Sequence, residues 1–146
     1  MSERTVLQSM AQRHVVSLGP QASAYEAACV MTRANCGSVL VLDASGALVG
    51  IVTERDLMTR LLAKAQDPRT TQLQAIMTPA PQTVPPQTRV AEAVLIMIER
   101  GFRHLPVVAP TGRILGVFSV RDALPREIGN AVSMAEFHDG INDALG

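Results

Sequence analysis

Two short segments of this 146-residue chain carry side chains that could do chemistry together: Gly50-Ile51-Val52-Thr53-Glu54-Arg55-Asp56 and Gly116-Val117-Phe118-Ser119-Val120-Arg121-Asp122. Each reads Gly, two apolar residues, Thr or Ser, any residue, then Arg-Asp, where an apolar strand-like run meets a helical pattern. A hydroxyl at a helix cap, followed three residues on by a carboxylate in the first turn, keeps that carboxylate ionised near the positive end of the helix. An ionised carboxylate accepts both hydroxyls of a ribose. Arginine recognises phosphate through a planar, bidentate fork, and a helix start adds unpaired N–H groups. The same Thr-x-x-Asp spacing is also a plain capping arrangement, and a single copy is ordinarily that. Two copies, each ending an equivalent pair of apolar runs, give the binding reading its weight.

The copies belong to a longer repeat. A shift of 66 positions carries Gly50 onto Gly116 and aligns the two halves without a gap. Pro20-Gln21 falls on Pro86-Gln87, Glu26-Ala27 on Glu92-Ala93, Met31 on Met97, Val41 on Val107, Gly46 on Gly112 and Arg55-Asp56 on Arg121-Asp122. Each copy opens with a helical pattern, apolar at Ala24, Ala27, Ala28, Met31 and Ala34 in the first and at Val90, Ala93, Val94, Met97 and Ile98 in the second. Ser23 and Glu26 have capping-box spacing; in the second copy Arg89 replaces the serine, so Thr88 is the expected cap. Asn35 and Gly101, aligned, tolerate the left-handed conformation that ends a helix.

Two apolar runs around a Gly-bearing turn follow in each copy, Val39–Leu42 with 48–52 and Leu105–Val108 with 114–118, the signature of a hairpin buried on both faces. Pro106 cannot donate to a ladder, so a strand start or an edge is expected there. A second helix should run from Glu54 to about Ala65 with Leu57, Leu61 and Leu62 inward, and Pro125 should shorten or displace its copy. Between the copies, residues 66–88 hold five prolines and read as a connecting arm with one short helical piece near Leu73–Met77. Residues 127–145 look helical.

Composition removes several function classes. Thirteen Lys and Arg balance thirteen Asp and Glu, without the basic excess of a nucleic-acid module. No apolar stretch approaches the roughly 20 residues of a membrane span. No signal-peptide core follows Met1–Thr5, which makes a cytoplasmic location the expectation. Cys29 and Cys36, with no histidine nearby, do not read as a zinc site and are expected to be buried, reduced thiols. His14 and His138 have no constellation around them. No nucleophile elbow, P-loop or metal-ligand spacing is present, so the expectation is a non-catalytic protein without a catalytic cofactor.

The repeat resembles the CBS domain family, through its Gly-x-x-Thr/Ser-x-x-Asp endings, the Arg103-His104-Leu105-Pro106-Val107-Val108 run and Ala75-Ile76-Met77-Thr78 ahead of the second copy. The likeness covers about residues 5–126, and its order and spacing are more specific than any one motif. It implies an α+β fold of two βαββα motifs packed with pseudo-twofold symmetry as one CBS pair: motif 1 over 5–65, a connecting arm over 66–79, motif 2 over 80–126 and a C-terminal helical segment over 127–146. It also implies adenosine-ligand clefts between the motifs. One would gather Thr53, Arg55 and Asp56 with Gln82, Thr83, Phe102, Arg103, His104 and Pro106. The other would gather Ser119, Arg121 and Asp122 with Val16, Ser17, Cys36, Gly37 and Ser38. The first holds the cations and is the better phosphate site. Phe102 is open between adenine pocket and core, and His104 between ligand contact and structural histidine. The resemblance implies a sensor of AMP, ADP or ATP, or of S-adenosylmethionine or NAD(H), working as a homodimer or through a protein partner not identifiable from sequence. The other reading is a structural dimerisation module, for which Leu57, Met58, Leu61 and Leu62 are candidate contacts.

Overall fold

The computed structural model describes residues 3–11 and 14–145, the last four of these by backbone alone. In chain order the elements are α1 (Val6–Ser9), β1 (Ser17–Leu18), α2 (Ala24–Ala34), β2 (Ser38–Leu42), β3 (Leu48–Thr53), α3 (Glu54–Asp56) running into a π-helical turn (Leu57–Leu62), α4 (Leu73–Ile76), β4 (Thr78–Pro79), α5 (Val90–Arg100), β5 (His104–Val108), β6 (Ile114–Ser119), a 3₁₀ turn (Val120–Asp122) and α6 (Pro125–Leu145). They form two compact units, Val15–Pro81 and Met1–His14 with Gln82–Gly146.

In the unit Val15–Pro81 the sheet order is β1-β2-β3-β4, with β1 parallel to β2 and the other pairs antiparallel. α2 begins where the Ser23 side chain accepts the Glu26 N–H at 3.1 Å and ends at Asn35 in the left-handed region, φ 52°. Ala24, Ala27 and Met31 on its inner face bury against Val39, Val41 and Val52 of the hairpin and Leu61, Leu73 and Ile76 beyond it. That apolar burial drives the assembly of the unit. The unit with Gln82–Gly146 repeats this with α5, capped by Gly101 at φ 79°, over the β5–β6 hairpin, where Leu105, Val107 and Phe118 are fully buried. Both hairpins bulge at the matched step, Val41/Leu42 and Val107/Val108, and turn through Gly46 and Gly112 with positive φ. The shared register is therefore physical as well as textual.

Arg89 is the N-cap of α5 but makes no side-chain cap bond, and Thr88 does not replace it. The first amide of the helix is satisfied from another segment: Val90 N–H donates to Arg4 C=O at 3.0 Å, and Val6 N–H donates to Thr88 C=O at 2.8 Å. Residues 4–10 thus pack on the second copy, whereas the sequence boundary at residue 5 groups them with the first. The segment 71–77 does the same for α2, through Ala24 N–H to Thr71 C=O at 2.9 Å and Leu73 N–H to Ala22 C=O at 2.9 Å. Each copy is thus completed by the segment that precedes the other in sequence.

Other expectations shift in detail. The second helix is α-helical for three residues and then π-helical, with Leu61 buried, Leu57 half-buried and Leu62 68% exposed rather than inward. Met58 is also exposed, so Leu61 belongs to the core while Met58 and Leu62 face out. Pro125 does more than shorten the copy: the 3₁₀ turn stops at Asp122, and Pro125 is the first residue of α6, where its missing N–H costs nothing. Pro106 lies mid-strand rather than at a strand start, on a strand that is an edge of the two-stranded β5–β6 sheet, the other expected place for it. The N–H of the matched Leu40 points away from β3, to Val16 C=O at 2.9 Å, so a proline at 106 removes an outer-side bond and leaves the β6 ladder intact. Cys29 and Cys36 are free but only half-buried, and the Cys36 thiol donates to Ser38 C=O at 3.3 Å.

Candidate functional site

Each Thr/Ser-x-Arg-Asp segment sits where β3 or β6 leaves its sheet. Thr53 stays extended, with φ −114° and ψ 168°, while Glu54 starts the helix, so the Thr53 side chain turns back over the first turn. Thr53 N–H donates to Asp56 Oδ2 at 2.9 Å, the Thr53 hydroxyl lies 3.2 Å from the same oxygen, and Asp56 N–H donates to Thr53 Oγ1 at 3.3 Å. This reciprocal capping box holds a nearly buried carboxylate, 8% exposed, in one orientation. Its other oxygen, Oδ1, lies 3.6 Å from Arg60 Nε. The second copy repeats the box: Ser119 N–H donates to Asp122 Oδ2 at 3.0 Å, and Arg121 N–H donates to Ser119 Oγ at 3.4 Å. Capping is therefore realised at both motifs. It uses Oδ2 and leaves Oδ1 on the far side of the carboxylate.

The free N–H groups expected at the helix start are largely taken. Glu54 N–H donates to Gly37 C=O at 3.1 Å, and Val120 N–H donates to Arg103 C=O at 3.2 Å. With the Asp56 N–H also used by the cap, anion recognition falls to side chains.

Each sequence-derived site is divided between the two units. Thr53, Arg55 and Asp56 lie in Val15–Pro81, whereas Gln82, Thr83, Phe102, Arg103, His104 and Pro106 lie in the unit with Gln82–Gly146. The second set divides the other way, with Val16, Ser17, Cys36, Gly37 and Ser38 in the first unit and Ser119, Arg121 and Asp122 in the second. Within a unit, hydrogen bonding groups these residues differently. Ser38 pairs with Thr53 across β2–β3, Ser17 pairs with Leu40, and Val16 C=O accepts from Leu40. In the other unit His104 pairs with Ser119, and Val84, next to Thr83, bridges in parallel to Val107. The matched Gly37 and Arg103 carbonyls each accept from the residue after Thr53 and Ser119. Every capped carboxylate therefore has, as its own-unit neighbour, the strand start that the sequence grouping gives to the other carboxylate.

Arg55, Arg103 and Arg121 are exposed, as are Gln82 and Thr83, while His104 is half-buried. Phe102 is half-buried and packs on the core of its unit. Several polar contacts escaped sequence reasoning. Arg60 donates to Ile76 C=O at 3.2 Å and to Met77 C=O at 3.1 Å; only its place four residues after Asp56 hinted at a role. His138, unassigned in the sequence, pairs with Glu99 Oε1 at 2.8 Å between α6 and α5. Among the described residues no group of three His, Cys, Asp or Glu is placed to hold a metal, and no helix is long and apolar enough to cross a membrane.

Two copies of one mixed helix-and-strand unit, each ending its hairpin in a capped carboxylate, define a tandem-repeat module of the α+β class. The family model of the CBS domain matches residues 7–63 and 73–127, and the chain belongs to that family. An uncharacterised protein of Methanopyrus kandleri is 32% identical over 118 residues, covering 81% of this chain and 60% of that protein. This chain thus spans under two thirds of that relative's length. Among solved structures, a CBS domain protein from Pyrobaculum aerophilum complexed with AMP is similar at TM-score 0.78 and 26% identity, over 90% of this chain and 100% of that one. A signal-transduction protein with CBS domains from Burkholderia ambifaria is similar at TM-score 0.74 and 28% identity, over 80% and 86% of the two chains.

Proposed function

We propose that this chain is a non-catalytic regulatory module that binds an adenosine nucleotide, of the AMP, ADP or ATP class, and signals through a change of conformation or of oligomeric state. One observation carries the reading: in both copies the cap fixes Asp56 or Asp122 by one oxygen and leaves the other turned away from the cap. A carboxylate so held is pre-organised for sugar hydroxyls, which lowers the cost of ordering it on binding. The AMP complex of the similar Pyrobaculum aerophilum protein supports the ligand class.

Thr53, Arg55 and Asp56 are the first-choice site, completed by Gln82, Thr83, Phe102, Arg103, His104 and Pro106. Ser119, Arg121 and Asp122 with Val16, Ser17, Cys36, Gly37 and Ser38 are the second. Arg55, Arg103 and His104 favour the first for a phosphorylated ligand, since Gly37 and Ser38 stand where the other copy has Arg103 and His104. A ligand shifts conformation only as far as it prefers one state over another, so the partner in signalling is a second copy of this chain or another protein.

A structural dimerisation role is the competing reading, and the same capping boxes favour it, because they account for both aspartates without a ligand. A thermal-shift screen against AMP, ADP, ATP, S-adenosylmethionine, NAD and NADH separates the two. A ligand at 100 times its Kd adds about 2.7 kcal/mol to stability, a plain rise in Tm. A rise with one adenosine ligand supports sensing and names the ligand. No rise with any of them hands the module to the structural reading.

A further inference from the structure

Arg60 joins the carboxylate at Asp56 to the arm that connects the two repeats. It lies one turn after Asp56 in the π-helical stretch, with Nε 3.6 Å from Asp56 Oδ1. That pair is long, so the guanidinium is held chiefly by its other contacts, from Nη1 to Ile76 C=O and Met77 C=O. These carbonyls sit at the end of α4, where a four-residue helix leaves acceptors without intrahelical partners. Directly beyond them, Thr78 and Pro79 form β4 against Ile51 and Gly50, two and three residues before Thr53. One planar cation thus spans the candidate ligand oxygen and the carbonyl end of the arm. π-Helical turns of this kind are frequent at functional sites.

The second copy lacks this device. Arg126 holds the matched position, but Pro125 breaks the chain away into α6 between it and Asp122. There the contact runs in the opposite direction: Arg4, from the preceding segment, donates to Asp122 C=O at 3.0 Å and pairs with Glu127.

We propose that Arg60 is a positioning residue that couples occupancy of Asp56 to the segment Leu73–Pro79, so that a ligand at the first copy, and not at the second, is read out at the connecting arm. The ligand half rests on the nucleotide reading above. A ribose hydroxyl donating to Asp56 Oδ1 competes with Arg60 Nε and leaves the guanidinium to the two arm carbonyls.

Hydrogen exchange of the full chain, read at the Met77, Thr78 and Ala80 amides, tests this with Asp56→Asn, Arg60→Met and the double variant. Without nucleotide, Asp56→Asn raises exchange at these amides severalfold in the wild-type background and adds nothing once Arg60 is Met. Arg60→Lys, which keeps the charge without the fork, behaves like Arg60→Met and serves if that variant does not fold. With saturating AMP, wild type changes exchange both at 51–57 and at 77–80, and Arg60→Met changes it at 51–57 alone. Equal effects of Asp56→Asn with and without Arg60, or no effect at the arm, overturn the coupling. An AMP response at 77–80 that survives Arg60→Met does the same. Wild-type exchange untouched by AMP removes the nucleotide, while the nucleotide-free comparison still decides whether Arg60 links Asp56 to the arm.

Discussion

Replacing Arg4 by Met should destabilise the unit formed by the chain's start and its second repeat, in a pH-dependent way. Arg4 makes a two-point contact with Glu127, Nε to Oε2 at 3.2 Å and Nη2 to Oε1 at 2.8 Å, and Nη2 also donates to Asp122 C=O. The Glu127 side chain is 8% exposed, that of Arg4 30%. Without Arg4, Oε1 keeps the Leu124 N–H at 2.7 Å, whereas Oε2 loses the Nε donor. Stranding a buried charged acceptor costs about 1.5–3 kcal/mol, and the partial exposure of Arg4 places the estimate near the lower end, about 2 kcal/mol. With a urea slope of about 2 kcal/mol per M, the midpoint should fall by about 1 M.

The hydrogen bond from Arg4 holds the Glu127 carboxyl below its ordinary value, against the opposing effect of burial. A lowered folded-state pKa gives stability that is fully present above the unfolded value and is lost as pH falls through the folded one. The gap between wild type and Arg4→Met should therefore be full at neutral pH and narrow in the acid range below the ordinary carboxylate pKa, where the bond to the Asp122 C=O remains. Urea titrations followed by circular dichroism at neutral and acid pH measure it. Equal midpoints at neutral pH, or a gap undiminished in acid, would refute the reasoning.

Two further perturbations test the local physics. Asn35 holds φ 52° and ψ 48° at the end of α2, so Asn35→Ala should cost about 1 kcal/mol and Asn35→Gly close to nothing or less, by the same urea titration. A Cβ on Gly50 would overlap the Sδ and Cγ of Met77. Gly50→Ala should therefore lower stability by about 1–3 kcal/mol, and Met77→Ala in the same chain should restore part of it. An unchanged Tm for Gly50→Ala would show that the Met77 side chain moves aside freely.

Much of this was legible in the sequence because the repeat is gap-free where local physics is strict. The αL caps at Asn35 and Gly101, the turns at Gly46 and Gly112 and the apolar hairpins all fell at their expected positions. The crossing of the lead segments was not legible. The short helices Val6–Ser9 and Leu73–Ile76 match at an offset of 67, although Thr5, Leu7 and Gln8 find identical Thr71, Leu73 and Gln74 at 66, and short apolar stretches carry no mark of which copy they cover. Leu62 is 68% exposed while its neighbour Leu61 is buried; residues adjacent on a helix point about 100° apart, so the Leu61-Leu62 pair could not share one inward face. At the candidate site the Thr/Ser and Asp positions were readable as a motif. The occupation of the helix-start N–H groups by Gly37 and Arg103 carbonyls was not, because backbone pairing across a hairpin end leaves no side-chain signature.

The central claim, that Asp56 binds an adenosine nucleotide, is tested most directly by isothermal titration of AMP into wild type and Asp56→Asn. The asparagine keeps an acceptor for the Thr53 N–H, so the cap survives while the charge and one acceptor oxygen are lost. The account predicts a saturable heat with wild type and an affinity at least tenfold weaker with Asp56→Asn, at little change in Tm; tenfold corresponds to about 1.4 kcal/mol, within the range of one charged hydrogen bond. Equal affinity for the two proteins, or no heat with wild type, would contradict it.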